Sequence, residues 1–170
     1  MNTFAPITDI IITSPNKFKQ TTNGFKEVSK FPHYKFKDAV ISDENKFTMY
    51  GNTCTILGMS NGVDTYLGHF APEQKPDKFK DQLDYIVKKF QDKTGQLSAI
   101  ITGAFDYNIY TPIPKQASKS FTQIAEVGEI LDKNNAILSV IGAKKSPIFM
   151  DNLAITGDKF ILSHTPKKLG

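Results

Sequence analysis

The sequence has no arginine and no tryptophan, and its 170 residues include one cysteine and three histidines. Without arginine, the chain lacks the planar guanidinium group that binds phosphate or guanine through two parallel hydrogen bonds. All 21 basic residues are therefore lysines, and the formal net charge is +4. These features favour a solvated, lysine-rich surface. A nucleic-acid-binding surface, indicated only by lysines that alternate with aromatic residues within 17–46, is a weaker alternative.

The single cysteine, Cys54, excludes an intramolecular disulfide and a cysteine-rich metal site. A solitary thiol favours a reducing compartment. The first 19 residues contain no basic segment followed by a long apolar run, and no stretch of the sequence is apolar enough to cross a bilayer. We therefore expect a protein that does not bind membranes. Its expected location is the cytoplasm, or a host cell that it enters without a recognisable signal peptide.

The three histidines, His33, His69 and His164, are far apart in the sequence and show no HxxxH spacing. Metal sites usually combine several histidine, cysteine or carboxylate ligands at short, regular spacings. We therefore expect neither a metal ion nor another cofactor. His33 and His164 are interpreted as surface residues.

The length and the spacing of the apolar segments predict one compact domain. The sequence predicts an N-terminal lead-in over residues 1–37, partly irregular, in which Ile7–Thr13 forms a strand. No linker rich in proline, glycine or serine divides the remainder, so residues 38–170 are expected to form a single domain.

Two aromatic and β-branched segments, Phe47–Leu57 and Asp64–Phe70, predict strands joined as a hairpin, the first interrupted at Gly51. The apolar stripe within Asp77–Thr94 predicts a helix. The later segments predict a buried strand at Leu97–Ile101, a helix from Ser120 to about Lys133, a strand at Ala136–Ile141 and terminal strands within Ile148–His164. This order predicts an α/β fold of the α+β sandwich type, with mixed, largely antiparallel sheets packed with about two helices.

The residues best suited to chemistry are Cys54 and His69, which lie at nearly equal distances from the expected turn at 61–62. In a simple hairpin such residues face each other, with Cβ atoms about 5 Å apart. An imidazole at that distance can take the thiol proton and activate the sulfur as a nucleophile. The alternative interpretation is that Cys54 is a small buried apolar residue and that His69 has only a structural role.

The segment Thr48–Glu73 resembles the CheD family of chemoreceptor glutamine deamidases. In that family a strand threonine is followed six residues later by the nucleophilic cysteine, and a second strand ends in a histidine. Thr48, Cys54 and His69 match this order, and the similarity extends weakly over about residues 38–165. Toxin deamidases of the cytotoxic necrotizing factor and Burkholderia lethal factor types share the fold that this resemblance implies.

The resemblance implies that Cys54 is the nucleophile, that His69 is its base and that Thr48 orients the imidazole. It further implies an oxyanion or substrate contact at Asn52 and Thr53. The alternative is that Thr48, Asn52 and Thr53 are ordinary strand residues without a catalytic role.

The sequence therefore predicts a cysteine-dependent protein-glutamine deamidase, an amide hydrolase that converts glutamine to glutamate and releases ammonia. Its partner would be a protein substrate that carries a reactive glutamine. The resemblance leaves open whether the protein acts in its own bacterial cell or as an effector or toxin. The alternative functions are a catalytically silent protein with the deamidase fold that binds a partner, and the lysine-rich nucleic-acid binder.

Overall fold

A computed structural model of the chain describes residues 10–28, 41–51, 54–70, 76–91, 97–103, 128–133, 137–140 and 149–166. These residues form two mixed sheets and the helices packed against them. The strands are β1 (Ile10–Thr13), β2 (Lys26–Glu27), β3 (Lys46–Gly51), β4 (Thr55–Ser60), β5 (Thr65–Phe70), β6 (Ser98–Gly103), β7 (Ile137–Val140), β8 (Phe149–Ile155) and β9 (Phe160–Pro166). The helices are α1 (Pro15–Thr21) and α2 (Pro76–Gln91), and residues 128–133 are also helical.

The first sheet has the strand order β1-β9-β8-β3-β2, and the second has the order β5-β4-β6-β7. The pairs β3–β8, β8–β9, β4–β5 and β4–β6 are antiparallel, whereas β1–β9, β2–β3 and β6–β7 are parallel. The predicted fold class, an α+β sandwich of mixed and largely antiparallel sheets, is therefore confirmed.

The two sheets pack face to face, and each covers its other face with helix. Alternate residues of a strand point to opposite faces, so each sheet contributes to two apolar layers. The layer between the sheets consists of Ile56, Leu67, Ile100, Leu153, Ile155, Phe160 and Leu162. The outer face of the second sheet packs on α2 through Leu83, Ile86, Val87 and Phe90. Phe18 of α1 packs on the outer face of the first sheet against Ala154 and Ile161.

The prediction of one strand over Phe47–Leu57 is wrong. Its first half is β3 in the first sheet, and its second half is β4 in the second sheet. The sequence pattern did not reveal the crossing, because the two strands share the same aromatic and β-branched composition. The predicted hairpin is confirmed for β4 and β5, which pair over their full length.

Residues 10–28, which the sequence analysis assigned to the lead-in, complete the first sheet. β1 pairs in register with β9, and β2 pairs with β3. The helix α1 was not predicted, although its start carries a readable signal. Ser14 is the N-cap, its side chain accepts a hydrogen bond from the Lys17 N–H, and Pro15 occupies the first turn.

The remaining predicted elements agree with the described residues. The predicted helix over Asp77–Thr94 corresponds to α2, and the predicted buried strand corresponds to β6. The predicted strand at Ala136–Ile141 is β7, and the terminal strands are β8 and β9, joined by the expected turn near Gly157. The helix predicted from Ser120 is described only at residues 128–133.

Candidate functional site

The layer between the two sheets is apolar at its centre, and the end that contains His69 is polar. Leu67 and Ile56 belong to the inter-sheet core. His69 lies two residues beyond Leu67, and Cys54 lies two residues before Ile56, so both side chains belong to the same inner face. Thr48 on β3 shares this inner face from the opposite sheet, because its neighbours Phe47 and Met49 pack in the outer layer with α1.

A hydrogen bond between Thr48 and His69 joins the two sheets at this polar end. Thr48 Oγ1 lies 2.7 Å from His69 Nδ1. The two residues are 1% and 4% exposed, respectively. When Nδ1 carries the proton and donates it to Thr48, the other ring nitrogen, Nε2, is the basic one. A buried threonine can thus set both the orientation and the tautomer of the imidazole.

Cys54 lies just before β4 and is 6% exposed. The expectation that it directly faces His69 is wrong, because the hairpin register pairs His69 with Ile56. Extending that register makes Cys54 a diagonal neighbour of His69 on the same face. Diagonal neighbours have Cα atoms about 7–8 Å apart, with the Cβ atoms somewhat closer, which long side chains can span.

The hairpin turn explains the shift in register. Asn61 begins a four-residue turn in which its backbone N–H bonds to the Asp64 carbonyl at 3.2 Å. The Asn61 side-chain oxygen also accepts from the backbone N–H groups of Val63 at 3.1 Å and Asp64 at 2.8 Å. The turn is therefore centred one residue later than expected from the sequence, and the residue opposite His69 is Ile56, two positions after Cys54.

A β-bulge ends β3 beside the site. Thr48 pairs with Leu153 and Gly51 with Asp151, so that β3 contains one more residue than β8 between these two pairs. Tyr50, within the bulge, has a φ of +65°. Its N–H donates to the side-chain oxygen of Asn152 at 3.0 Å, which holds this unfavourable conformation in place.

A second polar cluster, Asp151 with His164, Thr102 and Gly103, lies at the same end of the inter-sheet layer. Asp151 is 1% exposed, and its Oδ1 is 2.7 Å from His164 Nδ1. Its Oδ2 accepts hydrogen bonds from the Thr102 hydroxyl and, at 2.9 Å, from the Gly103 N–H. Asp151 was not among the residues predicted from the sequence, and His164, expected at the surface, has a side chain that is 38% exposed and bonded to this carboxylate. The alternation of Asp151 with Leu153 and Ile155 was the signal that placed the carboxylate on the inner face.

Gly103 connects this second cluster to the nucleophile candidate. It pairs with Thr55, the residue after Cys54, and its φ is +83°. A Cβ at this position would clash with the carbonyl oxygen of Cys54. The last residue of β6, Gly103, therefore packs directly against the backbone of Cys54. The Gly103 N–H donates a hydrogen bond to Asp151.

The other predicted site residues lie outside the described residues. This applies to Asn52 and Thr53, the predicted oxyanion or substrate contacts, and to His33. Within the described part of the chain, no group of three or more histidine, cysteine, aspartate and glutamate side chains is arranged to hold a metal ion. None of the helices in that part is both long and apolar enough to cross a bilayer.

Comparison of the chain with protein-family models and with curated protein sequences finds no match in either case.

Proposed function

We propose that the chain is a cysteine-dependent protein-glutamine deamidase, in which Cys54 is the nucleophile and His69 its general base. The observation that carries this proposal is the buried hydrogen bond of 2.7 Å between Thr48 Oγ1 and His69 Nδ1. A histidine that has only a packing role does not need a fixed tautomer. A histidine that exchanges protons with a thiol does, because Nε2 must alternate between accepting and donating.

In the proposed reaction, His69 takes the proton of Cys54, and the thiolate attacks the carboxamide carbon of a substrate glutamine. His69 then returns the proton to the nitrogen, the carbon–nitrogen bond breaks, and ammonia leaves. Water hydrolyses the resulting thioester to give glutamate and the free enzyme. Thr48 stabilises the imidazolium stage, because its oxygen accepts a hydrogen bond from Nδ1–H throughout.

The substrate class follows from the resemblance of Thr48–Glu73 to protein deamidases rather than from the shape of a pocket. The substrate is proposed to be a folded or partly folded protein that presents a glutamine side chain. Action inside a host cell, as a bacterial effector or toxin, belongs to the same proposal.

The reactivity of Cys54 is the most direct test, because it is the only thiol in the chain. Alkylation by iodoacetamide should proceed well below the pH at which an ordinary thiol reacts, near its pKa of about 8.5. The variant His69→Ala should lose this low-pH reactivity. Thr48→Val should reduce it about 10- to 100-fold at neutral pH, by analogy with metal-ligating histidines that lose the hydrogen-bond partner of their other ring nitrogen. Thr21→Val, at the exposed end of α1, is the matched control and should react like the wild type.

The activity itself is measured by mass spectrometry of a protein mixture incubated with the enzyme. Deamidation adds about one dalton at a glutamine and releases an equivalent of ammonia, and Cys54→Ala should abolish both. Ordinary thiol reactivity in wild type and His69→Ala alike would contradict the proposal and favour the catalytically silent, partner-binding protein.

A further inference from the structure

The Asp151–His164 pair has the organisation of an acid–base catalyst and has no role in the mechanism above. His164 Nδ1 lies 2.7 Å from the Asp151 carboxylate. A carboxylate only accepts hydrogen bonds, so Nδ1 carries the proton and Nε2 is the basic nitrogen of the neutral ring. The same arrangement of carboxylate and imidazole orients the general base in many hydrolases.

The carboxylate of this pair is fixed more firmly than an ordinary surface acid. Asp151 is 1% exposed. The Thr102 hydroxyl and the Gly103 N–H both donate to its second oxygen. The imidazole differs in this respect, because the His164 side chain is 38% exposed. The pair therefore combines a buried carboxylate, held in place by hydrogen bonds, with an imidazole that is accessible to solvent.

The burial of the two histidines indicates a division of roles. His69, at 4% exposed, lies with the thiol inside the inter-sheet layer, and this position suits proton transfer to and from a buried sulfur. Hydrolysis of a thioester requires a water molecule, which enters from solvent. Among the described residues at this end of the layer, His164 is a base with access to solvent.

His69 and the Asp151–Gly103 contact lie on opposite sides of β4, the strand that follows Cys54. β4 lies between β5, which carries His69, and β6, which ends at Gly103. Gly103 packs its backbone against the Cys54 carbonyl and donates its N–H to Asp151. The second cluster is thus attached to the backbone of the nucleophile on the side away from His69.

We infer that His164, oriented by Asp151, activates the water that hydrolyses the Cys54 thioester; this inference rests on the proposed function. His164 Nε2 takes one proton from water, and the hydroxide oxygen bonds to the thioester carbon. The carbon–sulfur bond breaks and the new carboxylic acid ionises. The proton held by His164 returns through solvent to the thiolate, which restores Cys54 as a thiol.

The two half-reactions are separated with p-nitrophenyl acetate as the acyl donor. Acetylation of Cys54 releases p-nitrophenolate as a burst, and deacetylation then sets the steady-state rate. Cys54→Ala measures the background from lysine acetylation. Intact-protein mass spectrometry follows the acetyl group on the enzyme.

The decisive variant is His164→Asn, whose amide retains a donor near the position of Nδ1 but has no basic nitrogen. The burst should keep its rate and size, whereas the steady-state rate should fall about 100-fold, and the acetyl-enzyme should accumulate. Asp151→Asn should slow the same step to a smaller extent. Asp158→Asn, an exposed carboxylate in the turn at the other end of the β8–β9 hairpin, is the matched control and should keep both rates.

An unchanged deacetylation rate in folded His164→Asn would overturn the inference. Equal losses in burst and steady state, with a lower melting temperature, would also overturn it and leave Asp151–His164 as a structural contact. If His164→Asn does not fold, the burst and the steady-state rate of His164→Gln are measured instead, and the same outcomes apply. Failure of the proposed function has a different signature, since the wild-type protein would then show no burst above the background measured in Cys54→Ala.

Discussion

At the scale of single residues, Lys46 is the most unusual charged group among the described residues. It is 2% exposed, and it lies on the inner face of β3 at the end of the layer opposite the candidate site. Its Nζ donates to Thr65 Oγ1 at 2.7 Å and to Ser42 Oγ at 3.0 Å, and backbone carbonyls accept further hydrogen bonds. Burial lowers the pKa of Lys46 to about 8, and this effect outweighs the opposing effect of the nearby Glu44 carboxylate.

This lowered pKa predicts a specific dependence of stability on pH. Below pH 8 the folded protein must hold the charged ammonium group in a desolvated site, whereas the unfolded chain holds it in water. Between pH 8 and the ordinary pKa of 10.5, the folded state loses this proton before the unfolded state does. The free energy of unfolding should therefore rise with pH in this window, by on the order of 1 kcal/mol.

The measurement is urea denaturation from pH 7 to pH 10. Lys46→Met should be less stable at pH 7, because it leaves the acceptor oxygens without their donor, and it should lack this pH-dependent rise. Lys26→Met, which removes a half-exposed lysine on the adjacent strand, should retain most of it, because burial lowers the pKa of Lys46 more than the Lys26 charge does. A rise of the same size in Lys46→Met would show that other groups cause it.

At the scale of the secondary-structure element, the end of β6 depends on glycine for two separate reasons. Gly103 has a φ of +83°, and a side chain there would also strike the carbonyl oxygen of Cys54. Gly24, in the turn after α1, has a similar φ of +89° but open space around it. The two glycines thus separate the cost of backbone strain from the cost of a steric clash.

We expect Gly24→Ala to lower the free energy of unfolding by about 1–2 kcal/mol, the cost of a left-handed conformation for an L-residue. Gly103→Ala should lower the free energy of unfolding by more, about 3 kcal/mol or above, because the Cys54 backbone must also move. It should also change the alkylation rate of Cys54, and Gly24→Ala should not. Equal destabilisation of the two variants in urea denaturation would contradict the close contact between β6 and Cys54.

At the scale of the whole molecule, the N-terminal segment is a structural part of the first sheet. Phe18 is fully buried and packs in the same layer as Ala154 and Ile161 of β8 and β9. These two strands also supply Asp151 and His164 to the polar end of the inter-sheet layer. The segment therefore supports the strands of the candidate site from the opposite face of the sheet.

This arrangement predicts that Phe18→Ala destabilises the entire domain by about 3–5 kcal/mol. Ile12→Ala, which truncates a side chain that is 67% exposed on β1, should change stability by less than about 0.5 kcal/mol. Urea unfolding followed by circular dichroism and by tyrosine fluorescence should give coincident transitions in both variants. A separate early transition in Phe18→Ala would instead mark the segment as an independent unit.

Local patterns were sufficient to predict most of the elements. The apolar stripe of α2 repeats a helical period, and β6 and the β8–β9 hairpin are short apolar runs bounded by turn residues, so a short window of sequence displays each of them. The order of Thr48, Cys54 and His69 was equally local, since it spans only two neighbouring segments. The sequence did not predict that the chain crosses from one sheet to the other after β3. That crossing depends on pairing with β8 and β6, which are distant in the sequence.

The amino-acid sequence by itself determined the fold class, the main elements and the choice of Cys54 and His69 as candidates, because periodicity and composition act over a few residues. Only the tertiary structure decided the register that makes these two residues diagonal neighbours, and only it brought Asp151 against His164 and Gly103. Contacts between strands that are distant in the sequence depend on how the two sheets pack. That packing minimises the exposed apolar area of the whole chain, and no short segment specifies it.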